Sequence, residues 1–292
     1  MTACAIPTDA DLEFEIDAFE RLKPRLAALW DTVFPGHDES YTSVIVPSLT
    51  LDQAEMAKIP AIHWYEERLL FLLMRLRNPH ARVVYVTSQP IHPIVLDYYL
   101  QLLTGIPASH ARARLTLLCV YDSSPRSLTE KILERPRVVE RIRASIADSR
   151  RAYLTVYNAT PLERRLAVQL DIPMNAPDPR LIPLGSKSGA RRLFAEAGVD
   201  RPFGREDLHS AGDIVSALIA IHVERPAARS AMLKLNEGFS GEGNARFDFP
   251  SVVDTASIRR ALDHLQFSVA SESVPAYLAK FAAGGGVVEE MI

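Results

Sequence analysis

The stretch Ala231-Met-Leu-Lys-Leu-Asn-Glu-Gly-Phe-Ser-Gly-Glu-Gly-Asn-Ala245 runs from a short apolar strand into a loop rich in glycine. Within the strand, Lys234 stands among Met232, Leu233 and Leu235. A buried ammonium is costly without a partner, whereas a triphosphate needs a fixed cation and backbone amides that no Cβ obstructs. The stretch therefore indicates either a phosphate-binding strand and loop, or a strand-edge lysine followed by an ordinary hairpin loop.

The loop at 238–244 has no Gly-Lys-Ser/Thr, so it is not a Walker loop, and it lacks the GxGxxG spacing of dinucleotide-binding turns. It is better interpreted as a mobile lid whose amides fold over phosphates and exclude water. The predicted phosphate neighbours are Ser240, Gly241 and Gly243. A carboxylate at Glu242 would repel phosphate unless it points outward.

A second segment, at 183–204, places a lysine at the start of a predicted helix. Ser186 is a natural N-cap residue, and Lys187 follows it in the first turn. The amides and the dipole at a helix N-terminus attract anions, so this position is a reasonable phosphate site. The alternative is a solvated lysine in an ordinary first turn.

A third segment closes the chain with Gly284-Gly-Gly-Val-Val-Glu-Glu-Met-Ile292. Taken in chain order, the segments 183–204, 231–245 and 284–292 resemble the ATP-grasp superfamily of carboxylate–amine ligases. The segment 183–204 resembles its helix start, 231–245 its lysine strand and lid loop, and 284–292 its hinge strand. The resemblance implies that Lys187 contacts phosphate and that Lys234 bridges the phosphates and the purine region.

The resemblance also implies roles for the last residues of the chain. Glu289 is expected to accept a hydrogen bond from the adenine amino group, and Glu290 and Ile292 to present backbone groups to the ring. From the residues alone, an exposed acidic strand end is the favoured interpretation of this segment.

Two earlier segments resemble the pre-ATP-grasp domain of peptide ligases of the pheganomycin-biosynthesis type. They are Val83-Val-Tyr-Val-Thr-Ser-Gln-Pro-Ile-His-Pro93 and Tyr157-Asn-Ala-Thr-Pro-Leu-Glu-Arg-Arg-Leu166. A domain of this kind is expected to help shape the acceptor site of the ligase.

The first two thirds of the chain alternate strand-like and helix-like segments. Strands are predicted near 44–47, 82–87, 115–121 and 152–157, and helices near 60–77, 92–103 and 128–146. This alternation predicts an α/β fold with a parallel sheet covered on both faces. Ser88, Gln89 and Asn158 fall at the carboxyl ends of strands, where ligands gather, so they are candidate substrate residues. Turn formation or helix capping explains each of them at least as well.

Four prolines between 171 and 183 indicate an extended connection between two domains. The prediction is a pre-ATP-grasp α/β domain at 1–180 and a partial α+β ATP-grasp domain at 181–292. The second domain is expected to be its N-terminal and lid portion, incomplete and ending at the hinge strand.

Composition and residue spacing argue against a nucleic-acid-binding, membrane-spanning, secreted or zinc-binding protein. The net charge of −3 on 292 residues gives no bulk attraction to nucleic acid, and the apolar run 69–74 is far too short to span a membrane. The acidic N-terminus is unlike a signal peptide, and two cysteines without a CxxC fit a reducing cytoplasm. The eight histidines show no HExxH or paired metal spacing, so no zinc site is predicted.

The resemblance implies an ATP-dependent ligase that forms an amide through an acyl phosphate, with ATP and Mg²⁺ as cofactors. The substrates would be a small-molecule or peptide carboxylate and an amine. The catalytic groups and metal ligands are expected beyond Ile292, so the chain is interpreted as the N-terminal portion of a longer enzyme and inactive alone. An exposed final strand also favours association, with the missing half of the domain or with a second copy. The alternative is a non-catalytic ATP-binding or assembly module that keeps the lid.

Overall fold

The computed structural model of the protein describes residues 9–33, 39–51, 56, 59–238, 243–269 and 272–292. The chain divides into two compact units, Met1–Pro179 and Arg180–Ile292. Each unit has its own sheet and its own hydrophobic core.

The first unit is built on a parallel sheet of four strands in the order β3-β2-β1-β4. The strands are β1 Tyr41–Val46, β2 Ala81–Thr87, β3 Leu115–Cys119 and β4 Ala152–Val156. In the centre, Val44 pairs with Val84 on one side and Leu154 on the other. All six residues of β1 are buried, as expected for a central strand covered on both faces of the sheet.

Helices cover both faces of this sheet, as the alternating pattern predicts. They are α1 Asp9–Val33, α2 Pro93–Gln101, α3 Ala108–Arg112, α4 Leu128–Leu133, α5 Pro136–Ala144 and α6 Pro161–Leu170, with 3₁₀ segments at Ile62–Arg77 and Ser149–Arg151. One core joins β1, β2 and β4 to α1, α4, α5 and α6. The core on the other face joins the strands to the long 3₁₀ segment, α2 and α3.

Two of the sequence predictions for this unit are wrong in detail. The single helix predicted at 128–146 is two helices, because Pro136 begins the second and holds the preceding Arg135 out of the helical region, at φ −122° and ψ 84°. The helix predicted at 60–77 is a 3₁₀ segment, although Ile62, Leu70 and Leu73 are buried as expected.

The second unit contains a five-stranded antiparallel sheet in the order β5-β9-β6-β7-β8. The strands are β5 Gly204–Leu208, β6 Ser230–Leu235, β7 Asn244–Asp248, β8 Gln266–Phe267 and β9 Gly286–Glu290. The helices are α7 Ile182–Gly185, α8 Lys187–Glu196, α9 Ala211–Glu224, α10 Thr255–Ala261 and α11 Val274–Gly284, with 3₁₀ turns at Pro179–Leu181 and Leu262–His264.

The core of the second unit lies between one face of this sheet and helices α9, α10 and α11. Alternate residues of β6, among them Leu233 and Leu235, point into that core. Their neighbours Met232 and Lys234 therefore point to the opposite face. The predicted fold class, a parallel α/β domain followed by an α+β domain, is confirmed.

In the part of the chain that the structure describes, no helix is both long and apolar enough to cross a membrane.

Candidate functional site

Lys234 forms an ion pair with Glu289 on the polar face of the second sheet. Lys234 Nζ donates a hydrogen bond to Glu289 Oε1. The pairing of Met232 with Glu289 and of Lys234 with Val287 places the two side chains diagonally on adjacent strands. The Glu289 side chain is 9% exposed and that of Lys234 is 29% exposed. The partner that a lysine in an apolar strand requires is therefore a carboxylate on the neighbouring strand.

Arg191 of α8 occupies the other oxygen of the same carboxylate. Its Nη1 donates to Glu289 Oε2 at 3.0 Å, and its Nε donates to Glu206 Oε2 of β5 at 3.0 Å. Nη1 also donates to the carbonyl oxygen of Pro202 at 3.1 Å. The Arg191 side chain is 6% exposed, so its charge requires these partners. Arg201 also pairs with Glu206 Oε2 at 3.5 Å, so three cations surround two carboxylates at the junction of α8 with β5, β9 and β6.

The N-terminus of α8 is bound to the end of the lysine strand. Ser186 caps the helix by accepting from the Gly189 amide at 3.0 Å, which makes Lys187 its first residue, as predicted. The Ser188 amide donates to Asn236 Oδ1 at 3.0 Å, and Asn236 Nδ2 donates to the Gly284 carbonyl at 3.0 Å. Asn236 therefore connects the start of α8, the end of β6 and the approach to β9.

The turn into β9 requires glycine at one position. Gly285 has a φ of +69°, and a Cβ there would lie 2.6 Å from His209 Cε1 and 2.9 Å from Asn236 Nδ2. Any side chain would be strained in this conformation and would displace Asn236.

The two described ends of the predicted lid loop lie close together. A Cβ on Gly238 would lie 3.2 Å from Gly243 Cα. The carbonyl of Gly243 accepts from the Leu235 amide at 2.9 Å and from Tyr277 Oη at 3.0 Å. Of the predicted phosphate neighbours, Gly243 is therefore anchored, whereas Ser240 and Gly241 lie outside the described residues, as does Glu242.

The remaining C-terminal candidates do not join the Lys234 network. The Glu290 carboxylate accepts from the Phe203 amide at 2.7 Å and pairs with Arg225 at 3.4 Å, and the Glu290 amide donates to the Phe203 carbonyl. Ile292 is 97% exposed. Contacts of Glu289, Glu290 and Ile292 with adenine stay predictions.

Ser88 lies at the carboxyl edge of the first sheet but is fully buried. Its amide donates to Glu66 Oε2 at 2.5 Å, and its hydroxyl accepts from Lys131 Nζ at 2.9 Å. Burial raises the pKa of Glu66 to about 7 and lowers the pKa of Lys131. Ser88 is therefore a centre of internal hydrogen bonds in this unit.

Asn158 and Gln89 lie at the same edge in different surroundings. Asn158 accepts from the Thr50 amide at 2.9 Å and donates to the Thr50 carbonyl at 2.7 Å, so both ends of its amide bind one residue. Gln89 is half-buried, and in the orientation that its surroundings favour, its amide oxygen accepts from the Ser123 amide at 3.1 Å. Substrate contacts of these side chains stay predictions.

Among the described residues, no group of three or more His, Cys, Asp or Glu side chains could hold a metal ion.

Sequence reasoning missed Arg191, Glu206 and Asn236. Arg191 and Glu206 lie in ordinary charged surroundings, Ala-Arg-Arg-Leu and Gly-Arg-Glu-Asp-Leu, so neither differs locally from an exposed residue. Asn236 carries a weak signal, because an asparagine between a strand and a glycine-rich loop commonly binds nearby backbone.

Residues 182–274 match the family model described as IQCH-like, ATP-grasp. This part of the chain is similar to ATP-grasp domains. The matched residues contain Lys187, Arg191, Lys234 and Asn236, while Glu289 lies after the ATP-grasp match.

Two curated proteins are similar to this chain. It is 29% identical over 204 residues to L-propargylglycine–L-glutamate ligase of Streptantibioticus cattleyicolor, a match covering 68% of this chain and 42% of that protein. It is 25% identical over 250 residues to IQ motif-containing protein H of Danio rerio, covering 80% of this chain and 23% of that protein. Both matches are longer than the unit Arg180–Ile292 that holds residues 182–274, so they extend into the first unit. The chain spans less than half the length of either relative.

Among solved structures, the chain is similar to D-alanyl-alanine synthetase A from Vibrio cholerae. The sequence identity is 10%, the TM-score is 0.37, and the match covers 88% of this chain and 60% of that chain.

Proposed function

We propose that this chain is the nucleotide-contacting portion of an ATP-dependent carboxylate–amine ligase that forms a peptide bond. The observation that carries the proposal is the Lys234–Glu289 pair, a partly exposed ammonium beside a buried carboxylate at the root of the loop at 238–244. The similarity to a ligase over both units supports the reaction class.

The residues present fit ATP. An ammonium has three donors, and Glu289 is the side-chain partner of Lys234 in the described part of the chain, so Lys234 can bind phosphate without releasing Glu289. Lys187 adds a second cation at the N-terminus of α8, whose dipole favours the same anion. Glu289 supplies a carboxylate that can accept from an adenine amino group close to Lys234.

The described residues do not form a Mg²⁺ site. Hard cations require several oxygen ligands, and no group of three or more acidic, histidine or cysteine side chains that could hold a metal lies among the described residues. Mg²⁺ enters the proposed function bound to ATP, as Mg·ATP.

The proposed reaction has two stages. A substrate carboxylate oxygen attacks the γ-phosphorus of ATP, so that an acyl phosphate forms and ADP leaves. An amine then attacks the acyl carbon, losing a proton as the amide forms and phosphate leaves. Lys187 and Lys234 offset the negative charge on the transferring phosphoryl group, which is where fixed cations contribute most to such a reaction.

In the first unit, Gln89 is the best placed of the proposed substrate residues. Ser88 and Asn158 are proposed to hold the carboxyl edge of the sheet in shape, since their hydrogen bonds are made within the protein. The substrates are proposed to be a small-molecule or peptide carboxylate and an amine, in the cytoplasm.

A second candidate function is a non-catalytic ATP-binding or assembly module. The family match favours it, because its description is IQCH-like, and the similarity to IQ motif-containing protein H covers 80% of this chain. That protein is named for a sequence motif and not for a reaction.

Calorimetric titration of Mg·ATP into the protein, Lys234→Ala and Lys280→Ala tests the nucleotide site. Lys280 is the matched control, since it is a 46% exposed lysine of the same unit that pairs with Glu272. We expect Lys234→Ala to weaken binding at least about tenfold, through loss of a charged hydrogen bond, and Lys280→Ala to leave it unchanged. Equal affinities of the three proteins would contradict the site.

Hydroxylamine separates the two candidate functions, because it captures an acyl phosphate as a stable hydroxamate. In the complete enzyme of which this chain is the proposed portion, with Mg·ATP, hydroxylamine and either L-propargylglycine or L-glutamate, the ligase hypothesis predicts a hydroxamate that requires ATP and Lys234. Nucleotide binding without any hydroxamate supports the non-catalytic module.

A further inference from the structure

A cavity of about 410 Å³ opens at the amino-terminal edge of the first sheet, where β1 and β4 begin. Tyr41 and Tyr153 form part of its wall, and Trp30 and Met74 lie at its rim, 53% and 54% exposed. Cavities of roughly 300–1,000 Å³ with aromatic walls and a few polar groups hold small organic molecules. The cavity lies wholly within the first unit, on the sheet edge opposite to Ser88 and Gln89.

The hydroxyl groups of two largely buried tyrosines in the wall have no partner among the described residues. Tyr41 is 7% exposed and Tyr153 is 5% exposed, and their rings stack with centroids 6.3 Å apart. Neither hydroxyl makes a hydrogen bond to any described residue, neither is sealed from solvent, and both tyrosines line the cavity. Burial raises the pKa of Tyr41 to about 12, which keeps its hydroxyl a donor at neutral pH. A buried hydroxyl group without a partner costs stability unless water or a ligand binds it.

A cation lies beside these hydroxyls. The guanidinium of Arg75 is 5.3 Å from the Tyr153 ring centroid and donates through Nη1 to Ser43 Oγ and to Thr155 Oγ1, the latter at 2.9 Å. Its Nε and Nη2 have no partner among the described residues. Nε and Nη2 form the edge of the guanidinium that binds a carboxylate with two parallel hydrogen bonds.

The residues that line the cavity carry a net positive charge. Among the described residues its lining includes Arg75 and no aspartate or glutamate, and Asn175 contributes a neutral amide. Arg75 makes no ion pair within the described chain. A half-buried cation with neutral protein partners attracts an anion from solution.

We propose that this cavity binds a small organic carboxylate, held by Arg75 and the hydroxyls of Tyr41 and Tyr153, with its apolar part on Trp30 and Met74. A free inorganic anion would use the same donors but leave the apolar rim without a contact. The site is independent of the proposed ligase function.

Tryptophan fluorescence gives a direct test, because the chain has two tryptophans and one of them lines the cavity. In a Trp64→Phe background, Trp30 alone reports binding of 3-phenylpropionate, with the neutral 3-phenylpropan-1-ol and inorganic phosphate as comparison probes. We expect a saturable change with the carboxylate, and at least about tenfold weaker binding of the alcohol and of phosphate.

Substitutions of the proposed hydrogen-bond donors test which of them bind the carboxylate. Arg75→Gln is expected to weaken 3-phenylpropionate binding at least about tenfold, whereas Arg77→Gln, an exposed arginine two residues along, leaves it unchanged. The double variant Tyr41→Phe, Tyr153→Phe removes only the two hydroxyl groups. It tests carboxylate binding by the cavity even if Arg75→Gln fails to fold. Absence of a saturable signal, equal binding of the alcohol, tighter binding of phosphate, or unchanged affinity in the tyrosine variant would overturn the proposal.

Discussion

Glu289 divides its carboxylate between two cations from different elements, with Oε1 on Lys234 of β6 and Oε2 on Arg191 of α8. Lys234 keeps donors to spare at a partly exposed position, whereas Arg191 is buried and bound on three sides. This difference assigns distinct tasks to the two cations. Arg191 positions the carboxylate, and Lys234 is the cation proposed to contact the nucleotide.

Arg191 should therefore matter far more for stability than its neighbour. Arg191→Ala leaves the buried Glu289 with one cation, and breaking a buried pair in this way costs about 3 kcal/mol or more. Arg192→Ala is the matched control, because Arg192 and Asp207 pair at 46% and 49% exposure, where such pairs contribute about 0–1 kcal/mol. Urea unfolding followed by circular dichroism measures both. Similar losses in the two variants would show that Arg191 is not a central support of this unit.

Glu289→Gln should change base selectivity more than overall nucleotide affinity. A carboxylate only accepts hydrogen bonds and so distinguishes an adenine amino group from the guanine carbonyl, whereas an amide can serve either base. We expect the ratio of GTP to ATP dissociation constants to fall about tenfold in a competition assay.

Glu290→Gln is the control for this selectivity, because the Glu290 carboxylate binds the Phe203 amide and Arg225, apart from Lys234. The ratio of GTP to ATP dissociation constants measured for Glu290→Gln should equal that of the unsubstituted protein. A selectivity ratio unaffected by Glu289→Gln would remove Glu289 from base recognition while leaving Lys234 as a phosphate ligand.

The sequence supports the architecture of this protein better than its site. The strands of the first sheet are continuous apolar runs such as Val83-Val-Tyr-Val, and short-range patterns of this kind are sufficient to predict a parallel sheet. β5 was not predicted, because its sequence Gly-Arg-Glu-Asp-Leu contains three charged residues. The segment forms a strand through its pairing with β9. Its strand character comes from tertiary context and not from propensity.

The site residues were likewise only partly predictable, because their partners are distant in the sequence. Lys234 was identifiable because a lysine in an apolar strand is unusual, but its partner lies 55 residues away. Arg191 lies 98 residues from Glu289, and nothing local separates it from Arg192. Long-range charge pairs of this kind require the fold before they can be assigned.

Glu66 should make the stability of the first unit fall as pH rises. Burial raises its pKa from 4.5 to about 7, so between these values the folded state binds more protons than the unfolded state. The stabilisation is complete below about pH 4.5 and is lost as pH rises to about 7, by up to about 3 kcal/mol.

Comparison with a variant isolates this effect, since burial also lowers the pKa of His63 and so adds a pH dependence of its own. Glu66→Gln should remove the downward slope between pH 4.5 and 7, whereas Glu140→Gln, at an exposed position of α5, should keep it. Unfolding free energies measured by urea at several pH values provide the test. Parallel curves for the protein and Glu66→Gln would mean that Glu66 stays ionised throughout.

Gly189 should tolerate no side chain, although it lies in a helix where alanine is normally preferred. A Cβ there would lie 2.0 Å from the Pro183 carbonyl oxygen and 2.8 Å from Leu184 Cα, both backbone atoms that cannot move alone. Gly189→Ala must therefore separate α7 from α8, at a cost of about 2 kcal/mol or more, and displace Ser186 and Lys187 at the helix start. Gly185→Ala is the matched control, because its Cβ meets nothing within 4 Å. Thermal unfolding and Mg·ATP titration of both variants measure the two effects, and a Gly189→Ala protein as stable as Gly185→Ala would show that the two helices do not pack this closely.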